Sequence, residues 1–345
     1  MDIAKSVFEA IDIAFNKKQN DTFVFEGAEK VVATKDVLYD KEDTKTCLLD
    51  YYYVPKNDKT KYPVIFYIHG GGFMAGGKEY RRQLCTWLAL EGFFVVNVNY
   101  GLSPECYFPE PIRHLVAALN WVNLSKNYLN LDTDNVIVAG DSAGAYYASM
   151  LAVITKKQEL QKVFKAKTKM DIKACVLNCG IYDIKTTLDA RMFLDLNKKI
   201  FESYTGIKEE DFDNYKFKDY ISPIPFIDES FPPCFVIFAE KDIFCHGQSE
   251  ALCKKLDEVG TYYESYHSKS VFQNHCFSLT WTSEEAKTAN LLLMEFLDNF
   301  KAGKIPAKQK DAKHKIRKSG VKKKEEIAEA KKPKLKKNKT KQEIN

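Results

Sequence analysis

The sequence predicts an α/β protein whose central sheet is mostly parallel and covered by helices on both faces. Short apolar runs rich in Val, Ile, Phe and Tyr recur along the chain, and amphipathic stretches separate them. Strands that alternate with helices form a parallel sheet, because each helix brings the chain back for the next strand. The 345 residues are 45% hydrophobic, which is enough for one large core.

Seven apolar runs have the length of strands. A strand buried on both faces is a continuous apolar run, and YPVIFYIHGGG at 62–72 is typical of this class. The run CLLDYYYVP at 47–55 instead favours an antiparallel strand. The other predicted strands are 93–100, 135–140, 173–180, 233–242 and 261–270.

Amphipathic stretches with helical periodicity lie between these strands. Residues 80–92 and 108–128 are two examples, and a closing helix is predicted over 283–300. Ser283 is a candidate N-cap for this helix, with Glu285 nearby, because a side-chain oxygen can accept the free N–H groups of a first turn.

Two long segments interrupt the alternation. Residues 1–35 contain a helical run, and residues 182–222 form a mostly helical insertion between two predicted strands. A long insertion at the carboxyl ends of strands is where an active-site lid belongs. We therefore expect 1–35 and 182–222 to form a cap on a single domain that spans residues 1–300.

The charge of the chain is divided unevenly. Residues 301–345 carry 18 of the 52 basic and 5 of the 47 acidic residues, a net charge of +13, so the remainder carries 34 basic and 42 acidic residues, a net of −8. The tail lacks large apolar side chains and cannot offset its ordering entropy, which predicts a disordered Lys-rich tail over 301–345. Such a tail can contact anionic surfaces, but its simplest interpretation is a solvated segment, and we expect no specific nucleic-acid partner.

The nine cysteines are an odd number with no C-x-x-C pair, which favours reduced, buried thiols. The first residues, MDIAKSVFEA, lack the basic and apolar regions of a signal peptide. No apolar run approaches the roughly 18 residues of a transmembrane helix. These features predict a cytoplasmic protein without a transmembrane segment, and the cysteines lack the spacing of metal ligands.

Ser142 is the candidate nucleophile. It lies in GDSAG, residues 140–144, after the apolar run NVIVAG and before the helix-like run AGAYYASMLAVITKK. The alternative is an ordinary serine in a tight turn. The strand–turn–helix context favours a nucleophile, because G-x-S-x-G presents the hydroxyl at the top of a sheet only in that context.

The segment HGGGF, residues 69–73, ends a predicted strand and is a candidate oxyanion loop. Consecutive glycines leave backbone N–H groups uncovered, and such groups are the donors that a tetrahedral oxyanion requires. A flexible strand-end loop is the alternative.

An acid and a base complete the pattern. Asp242 ends the run CFVIFAEKD at the carboxyl end of a predicted strand, where catalytic groups belong, although it could instead cap the next helix. His246, His267 and His275 follow it. His267 falls inside a predicted strand and His246 only four residues after the acid, whereas His275 lies in the loop before the closing helix. The order Ser142, Asp242, His275 is typical of this type of site.

The chain resembles the α/β-hydrolase superfamily, and within it the hormone-sensitive-lipase-like esterases. HGGGF and GDSAGA match the two central motifs of that family. The segments at 99–122 and 222–242 resemble its block after the fourth strand and its block leading to the acid. The resemblance covers roughly residues 45 to 298.

The resemblance implies an α/β-hydrolase fold and a residue-by-residue site. Ser142 would be the nucleophile, His275 the general base and acid, and Asp242 the orienting carboxylate. The oxyanion donors would be the N–H groups of Gly71, Gly72 and Ala143, and His69 would be structural.

The expected activity is hydrolysis of short- to medium-chain carboxylic esters through an acyl-enzyme, with no metal or organic cofactor. An amide hydrolase such as a formamidase or peptidase uses the same triad. A third possibility is a binding protein of this fold, although the complete Ser, Asp and His set argues against it. The sequence leaves the oligomeric state open.

Overall fold

The structure is a computed structural model that describes residues 5–11, 13–14, 24–189, 195–306, 308, 315–318 and 335–336. Its strands in chain order are β1 (Val24–Phe25), β2 (Val32–Leu38), β3 (Leu48–Tyr53), β4 (Tyr62–Ile68), β5 (Phe94–Val98), β6 (Leu131–Asp141), β7 (Ile172–Asn178), β8 (Cys234–Ala239), β9 (Tyr263–Ser268), β10 (Lys315–Lys318) and β11 (Leu335–Lys336).

The central sheet contains nine of these strands in the order β10-β9-β8-β7-β6-β4-β5-β3-β2. The pairs β2–β3 and β3–β5 are antiparallel, and all other neighbouring pairs are parallel. The carboxyl ends of β4, β6, β7 and β8 therefore meet at one edge of the sheet. The predicted antiparallel strand at 47–55 and all six other predicted strands are present.

Helices cover both faces of the sheet. Those of the described residues, beyond helical residues 5–11 and 13–14, are α1 (Arg82–Leu90), α2 (Glu110–Ser125), α3 (Ala143–Lys156), α4 (Gln158–Val163), α5 (Ile184–Asp189), α6 (Leu196–Thr205), α7 (Gln248–Val259) and α8 (Glu284–Lys301). Ser283 caps α8 as predicted, since its side chain accepts the Ala286 N–H at 3.0 Å.

The two faces hold separate apolar cores. Along β4, Val64, Phe66 and Ile68 pack with α2, α3 and α7, whereas Ile65 and Tyr67 pack with α1 and α8. This alternation explains why the strand is apolar at nearly every position, because both of its faces are buried.

The structure differs from the predicted cap between residues 24 and 35. Val32–Leu38 form β2 at the antiparallel edge of the sheet, and the ring of Phe25 packs 6.5 Å from Trp87 and 5.5 Å from Trp281. The side chains of β2 are largely exposed, so the segment lacks the apolar alternation by which a strand is recognised.

The structure also departs from the predicted tail at two short segments. Lys315–Lys318 pair in parallel with Glu264–His267 of β9, and Leu335–Lys336 pair with Val24–Phe25 of β1. The closing helix extends to Lys301. Most other residues of the tail lie outside the described residues.

Candidate active site

Ser142 occupies a sharp turn between β6 and α3. Its backbone has φ 53° and ψ −121°, a conformation that persists only where the surrounding structure enforces it. A Cβ on Gly140 would lie 2.3 Å from the Gly144 carbonyl oxygen, and one on Gly144 would lie 2.0 Å from the Ile68 carbonyl oxygen. Both glycines of the motif are therefore steric requirements of this turn.

Asp242 and His275 form a hydrogen-bonded pair. Nδ1 of His275 lies 2.9 Å from each carboxylate oxygen of Asp242. Oδ1 of Asp242 also accepts the backbone N–H groups of Phe244 at 2.9 Å and Cys245 at 2.8 Å. Burial raises the pKa of Asp242, but His275 and these N–H groups outweigh burial and hold that pKa below its ordinary value. The ionised carboxylate fixes His275 with Nδ1 as the donor.

The end of β7 supports both the turn at Ser142 and the loop that carries His275. The backbone N–H of Ser142 donates to the carbonyl of Asn178 at 2.8 Å. The next residue, Cys179, accepts the backbone N–H of Cys276 on its Sγ at 3.2 Å. Because Cys276 follows His275 directly, these two contacts bring the Asp242–His275 pair to the same edge of the sheet as Ser142.

The backbone of the predicted oxyanion loop adopts positive φ angles, which its glycines permit. Gly71 and Gly72 have φ values of 127° and 61°. The Gly71 carbonyl accepts the N–H groups of Met74 at 3.2 Å and Ala75 at 2.9 Å. Within the described part of the chain, the N–H groups of Gly71 and Gly72 donate to no hydrogen bond.

The third predicted donor lies at the start of α3. Ala143 is the first residue of this helix, so its N–H has no intrahelical acceptor. The glycine loop approaches this point closely, since a Cβ on Gly70 would lie 3.0 Å from Cβ of Ser142. The two candidate donor segments therefore lie next to Ser142.

Asp141 is a positioning residue that the sequence analysis missed. Arg81 donates to both of its carboxylate oxygens, at 2.8 and 2.6 Å, and the Tyr67 hydroxyl and the Gly70 N–H donate at 2.7 and 3.2 Å. Burial raises the pKa of Asp141, yet Arg81 and the Tyr67 hydrogen bond hold it below its ordinary value. The carboxylate thus ties the glycine loop to the turn at Ser142. An acidic residue beside the motif serine and an arginine in EYRRQL were the available signals.

His69 is buried at the start of the glycine loop. Its Nδ1 lies 2.7 Å from the Gly70 carbonyl, and its ring stacks on Tyr100 with centroids 4.5 Å apart. Burial lowers the pKa of His69 to about 4. A neutral, stacked imidazole agrees with the structural role that the resemblance implied.

The other two candidate bases lie apart from the Asp242 carboxylate. Nδ1 of the exposed His246 lies 3.2 Å from the Glu240 carbonyl. His267 is buried in β9, where its ring stacks 4.3 Å from Phe238 and its Nε2 lies 3.2 Å from Oε2 of Glu240. Of the three histidines, the structure pairs His275 with the acid.

An apolar cluster connects residues 5–14 with this site. The ring of Phe8 lies 5.5 Å from that of Phe244, which in turn lies 5.1 Å from His275. A Cβ on Gly72 would lie 2.6 Å from the Phe8 ring. The cluster also contains Met74, Ala75, Leu196 and Ile200. Residues from both segments of the predicted cap therefore pack against the glycine loop.

The insertion also packs on the loop through Tyr204, which stacks on Phe73 with ring centroids 4.0 Å apart. Phe201 is buried with its ring 5.6 Å from Phe212. Two other predicted cap residues, Met192 and Phe193, lie outside the described residues.

Among the helices that the structure describes, none combines the length and apolar character needed to cross a bilayer.

Comparison with known proteins decides the family. The family model BD-FAE matches residues 49–256, which is more than half of the chain. The chain belongs to the BD-FAE family. This BD-FAE protein is 26% identical over 261 residues to the alpha/beta hydrolase R526 of Acanthamoeba polyphaga mimivirus, covering 74% of this chain and 72% of that relative.

Two further relatives of this BD-FAE protein are esterases. It is 27% identical to the esterase LipQ of Mycobacterium tuberculosis over 222 residues, 64% of this chain and 51% of LipQ. It is 26% identical to an acetyl esterase of Salmonella schwarzengrund over 196 residues, 53% of this chain and 56% of that enzyme. The chain thus spans about half the length of these two esterases.

Solved structures share the fold of this BD-FAE protein. Esterase B of Lactobacillus rhamnosis superposes with a TM-score of 0.75 at 23% identity, covering 87% of this chain and 94% of that one. A bacterial heroin esterase superposes with a TM-score of 0.67 at 21% identity, covering 84% and 90%. The predicted α/β-hydrolase fold is confirmed, and with the family match so is the resemblance to hormone-sensitive-lipase-like esterases.

Proposed function

We propose that this protein is a serine carboxylic ester hydrolase that acts on short- to medium-chain acyl esters. The observation that carries the proposal is the hydrogen-bonded Asp242–His275 pair, at the same edge of the sheet as a serine in a strained strand-to-helix turn. The named esterases among its relatives support the same reaction class.

In this mechanism His275 takes the Ser142 proton as the hydroxyl attacks the ester carbonyl. Ser142 Oγ has no hydrogen bond to another described residue, and in free enzymes this link is often long and tightens when substrate binds. Asp242 holds the tautomer with Nδ1 protonated and stabilises the imidazolium that forms. The alcohol leaves with the proton, and water then repeats the cycle on the acyl-enzyme.

The N–H groups of Gly71, Gly72 and Ala143 bind the oxyanion in this proposal. Two of them come from a loop that Asp141 ties to the nucleophile turn through Gly70, and the third comes from a helix N-terminus. Preorganised donors in a site that excludes water stabilise developing negative charge without a reorganisation cost. The partial positive charge of the α3 N-terminus adds to this effect.

We propose that the cap limits the substrate to acyl chains of roughly two to eight carbons, because apolar walls set the length of a pocket. The ring of Phe8 covers Gly72, and Leu196 and Ile200 of α6 join the same apolar cluster. Esterase B, which shares the fold with a TM-score of 0.74, has been solved with a C4-C4 tributyrin phosphonate inhibitor.

We also propose a cytoplasmic location. All nine cysteines lie in the described residues and none forms a disulfide. Chains that keep this many unpaired thiols are typical of reducing compartments.

The test is labelling of Ser142. A fluorophosphonate should add a single adduct to the wild-type protein at Ser142 and none to Ser142→Ala. The variant should lose roughly a thousandfold or more of its turnover of p-nitrophenyl acetate, because a triad member is removed. The matched control is Ser149→Ala on the same helix, where the hydroxyl donates only to the Tyr146 carbonyl at 2.7 Å.

Ser142→Ala with more than about a tenth of wild-type turnover would place the nucleophile elsewhere. A parallel assay with an acyl amide of the same acyl group separates an esterase from an amide hydrolase. We expect the ester to turn over far faster.

A further inference from the structure

Two thiols adjoin the catalytic imidazole. Sγ of Cys179, Sγ of Cys276 and a ring nitrogen of His275 lie within 4.8 Å of one another. We call these three residues the thiol cluster. Cys179 directly follows β7 and Cys276 directly follows His275, so the contacts that bring His275 to this edge of the sheet also assemble the cluster. Two sulfurs and one imidazole nitrogen form a typical ligand set for a borderline-soft d¹⁰ cation.

The cluster is held in place by the backbone. Cys179 and Cys276 have φ values of 50° and 52°, so both lie in the left-handed region that side chains rarely adopt. The N–H of Cys276 donates to Sγ of Cys179 at 3.2 Å. Both side chains are buried, at 0% and 4% exposure, whereas His275 retains 14%. An ion can therefore reach the cluster from the His275 side.

We propose that the thiol cluster is an inhibitory site for Zn²⁺ and similar thiophilic dications. The ion binds Sγ of Cys179, Sγ of Cys276 and a nitrogen of His275, with water as the fourth ligand. Ideal bonds are about 2.3 Å for sulfur and 2.0–2.1 Å for nitrogen. Ligand atoms already within 4.8 Å of one another need to shift only modestly to reach this geometry.

The charge of the buried site does not change on binding. The dication replaces two thiol protons, which leave to solvent, and forms two Zn–S bonds and one Zn–N bond. A net neutral exchange avoids the large desolvation cost of an unpaired buried charge.

Binding stops hydrolysis whichever ring nitrogen is used. At Nε2 the metal occupies the lone pair that would accept the Ser142 proton. At Nδ1 the metal leaves the neutral imidazole with its proton on Nε2, so that nitrogen cannot accept one either. This inference rests on the proposed function only in its activity readout, because thiolate binding is observable on an inactive protein.

The experiment titrates the full chain, freed of metal by a chelator, with Zn²⁺ in a short-ester assay. We expect full inhibition at a single ion per chain, reversed by EDTA. Cys179→Ala and Cys276→Ala should each raise the half-inhibiting concentration by at least about tenfold, since even outer-shell changes cost that much affinity. Cys253→Ala is the matched control, because this partly buried thiol lies outside the cluster.

Cd²⁺ supplies a readout independent of activity. Its thiolate charge-transfer absorption in the near ultraviolet should rise in the wild-type protein in step with inhibition, and should fall in both cluster variants. Absence of this band at saturating Cd²⁺ would overturn the proposal. So would unchanged Zn²⁺ sensitivity in both variants, or a loss of sensitivity confined to Cys245→Ala, which would move the ion to the group formed by Asp242, Cys245 and His275.

Discussion

At the scale of single residues, the site depends on contacts too close for any side chain larger than glycine. Ser142 keeps a strained backbone because Gly140 and Gly144 let β6, α3 and β4 approach within van der Waals distance. Strain of this kind is stored where the surrounding packing over-determines the conformation. The glycines of the G-x-S-x-G motif are therefore required by steric constraints. The turn that these constraints impose presents the Ser142 hydroxyl.

The assignment of the base gives the first prediction. His275→Ala should lower kcat/KM for a short ester by roughly a thousandfold or more, because the proton acceptor is lost. His246→Ala should leave it nearly unchanged, since that side chain is exposed and bonds only to a carbonyl among the described residues. His267→Ala should lower the free energy of unfolding but spare the chemistry. Full activity in His275→Ala would refute the assignment.

Asp141 gives a prediction about stability. Asp141→Asn removes the carboxylate that pairs with the buried Arg81, which should cost about 3–5 kcal/mol in the free energy of unfolding. Asp171→Asn is the matched control, because Asp171 pairs with Lys156 and Lys173 at the surface, where such a change costs about 1 kcal/mol or less. Urea unfolding of both variants measures the difference. Equal costs would contradict a special role for Asp141.

The Asp141–Arg81 ion pair also predicts how the free energy of unfolding depends on pH. The pKa of Asp141 is lower in the folded protein than its ordinary value, so its contribution is fully present above the unfolded pKa of about 3.9. It is lost as pH falls through the folded-state value. The wild-type free energy of unfolding should therefore fall more steeply than that of Asp141→Asn below about pH 4. Parallel curves would show that Asp141 is not ionised in the folded state.

At the scale of elements, the site is walled by segments distant in sequence. Residues 5–11 bring Phe8 against Gly72 and Phe244, and α6 contributes Leu196 and Ile200 to the same cluster. A salt bridge of 3.0 Å between Lys5 and Glu105 holds the first segment to the domain. The wall is thus assembled from the N-terminal segment, the insertion and the glycine loop.

Phe8→Ala should change chain-length selectivity. Removing the ring opens space above Gly72, so the ratio of kcat/KM for an eight-carbon ester to that for a two-carbon ester should rise by roughly tenfold. Ile13→Ala is the control, because that side chain is 63% exposed and should leave the ratio unchanged. A chain-length series on the three proteins gives the answer. An optimum at about twelve carbons or longer in the wild type would refute the cap as a limit on substrate size.

At the scale of the whole molecule, charge is segregated between an acidic domain and a basic tail. The described part of the tail pairs along β9 at the outer edge of the sheet and with β1. The candidate triad instead lies where β6, β7 and β8 end. The tail and the site therefore occupy different parts of the sheet.

Deleting residues 303–345 should leave kcat/KM for a soluble ester nearly unchanged and weaken binding to anionic vesicles in a salt-dependent way. Each lysine near an anionic surface contributes about 1 kcal/mol. A chain of equal length with its tail lysines changed to glutamine separates charge from length. A loss of about tenfold in short-ester activity on deletion would show that the tail belongs to the catalytic domain.

The sequence by itself determined the strand and helix alternation, the two glycine motifs and the chain order of the candidate residues Ser142, Asp242 and His275. These features are local: a buried strand is apolar at every position, and a sharp turn requires glycine whatever surrounds it. Edge strand β2 was not predicted, because its exposed side chains leave no apolar pattern in the sequence. The strand pairings of the tail were not predicted for the same reason, since the tail sequence is almost wholly polar.

Only the tertiary structure decided the contact distance between His275 and Asp242, what holds Asp141, and which thiols lie near His275. The loop position of His275 favoured it over His246 and His267 as the partner of Asp242, but a position along the chain does not give a contact. The contact depends on where the loop after β9 returns over the ends of β7 and β8. Packing between segments remote in sequence sets those distances, and the order of residues along a chain does not contain them.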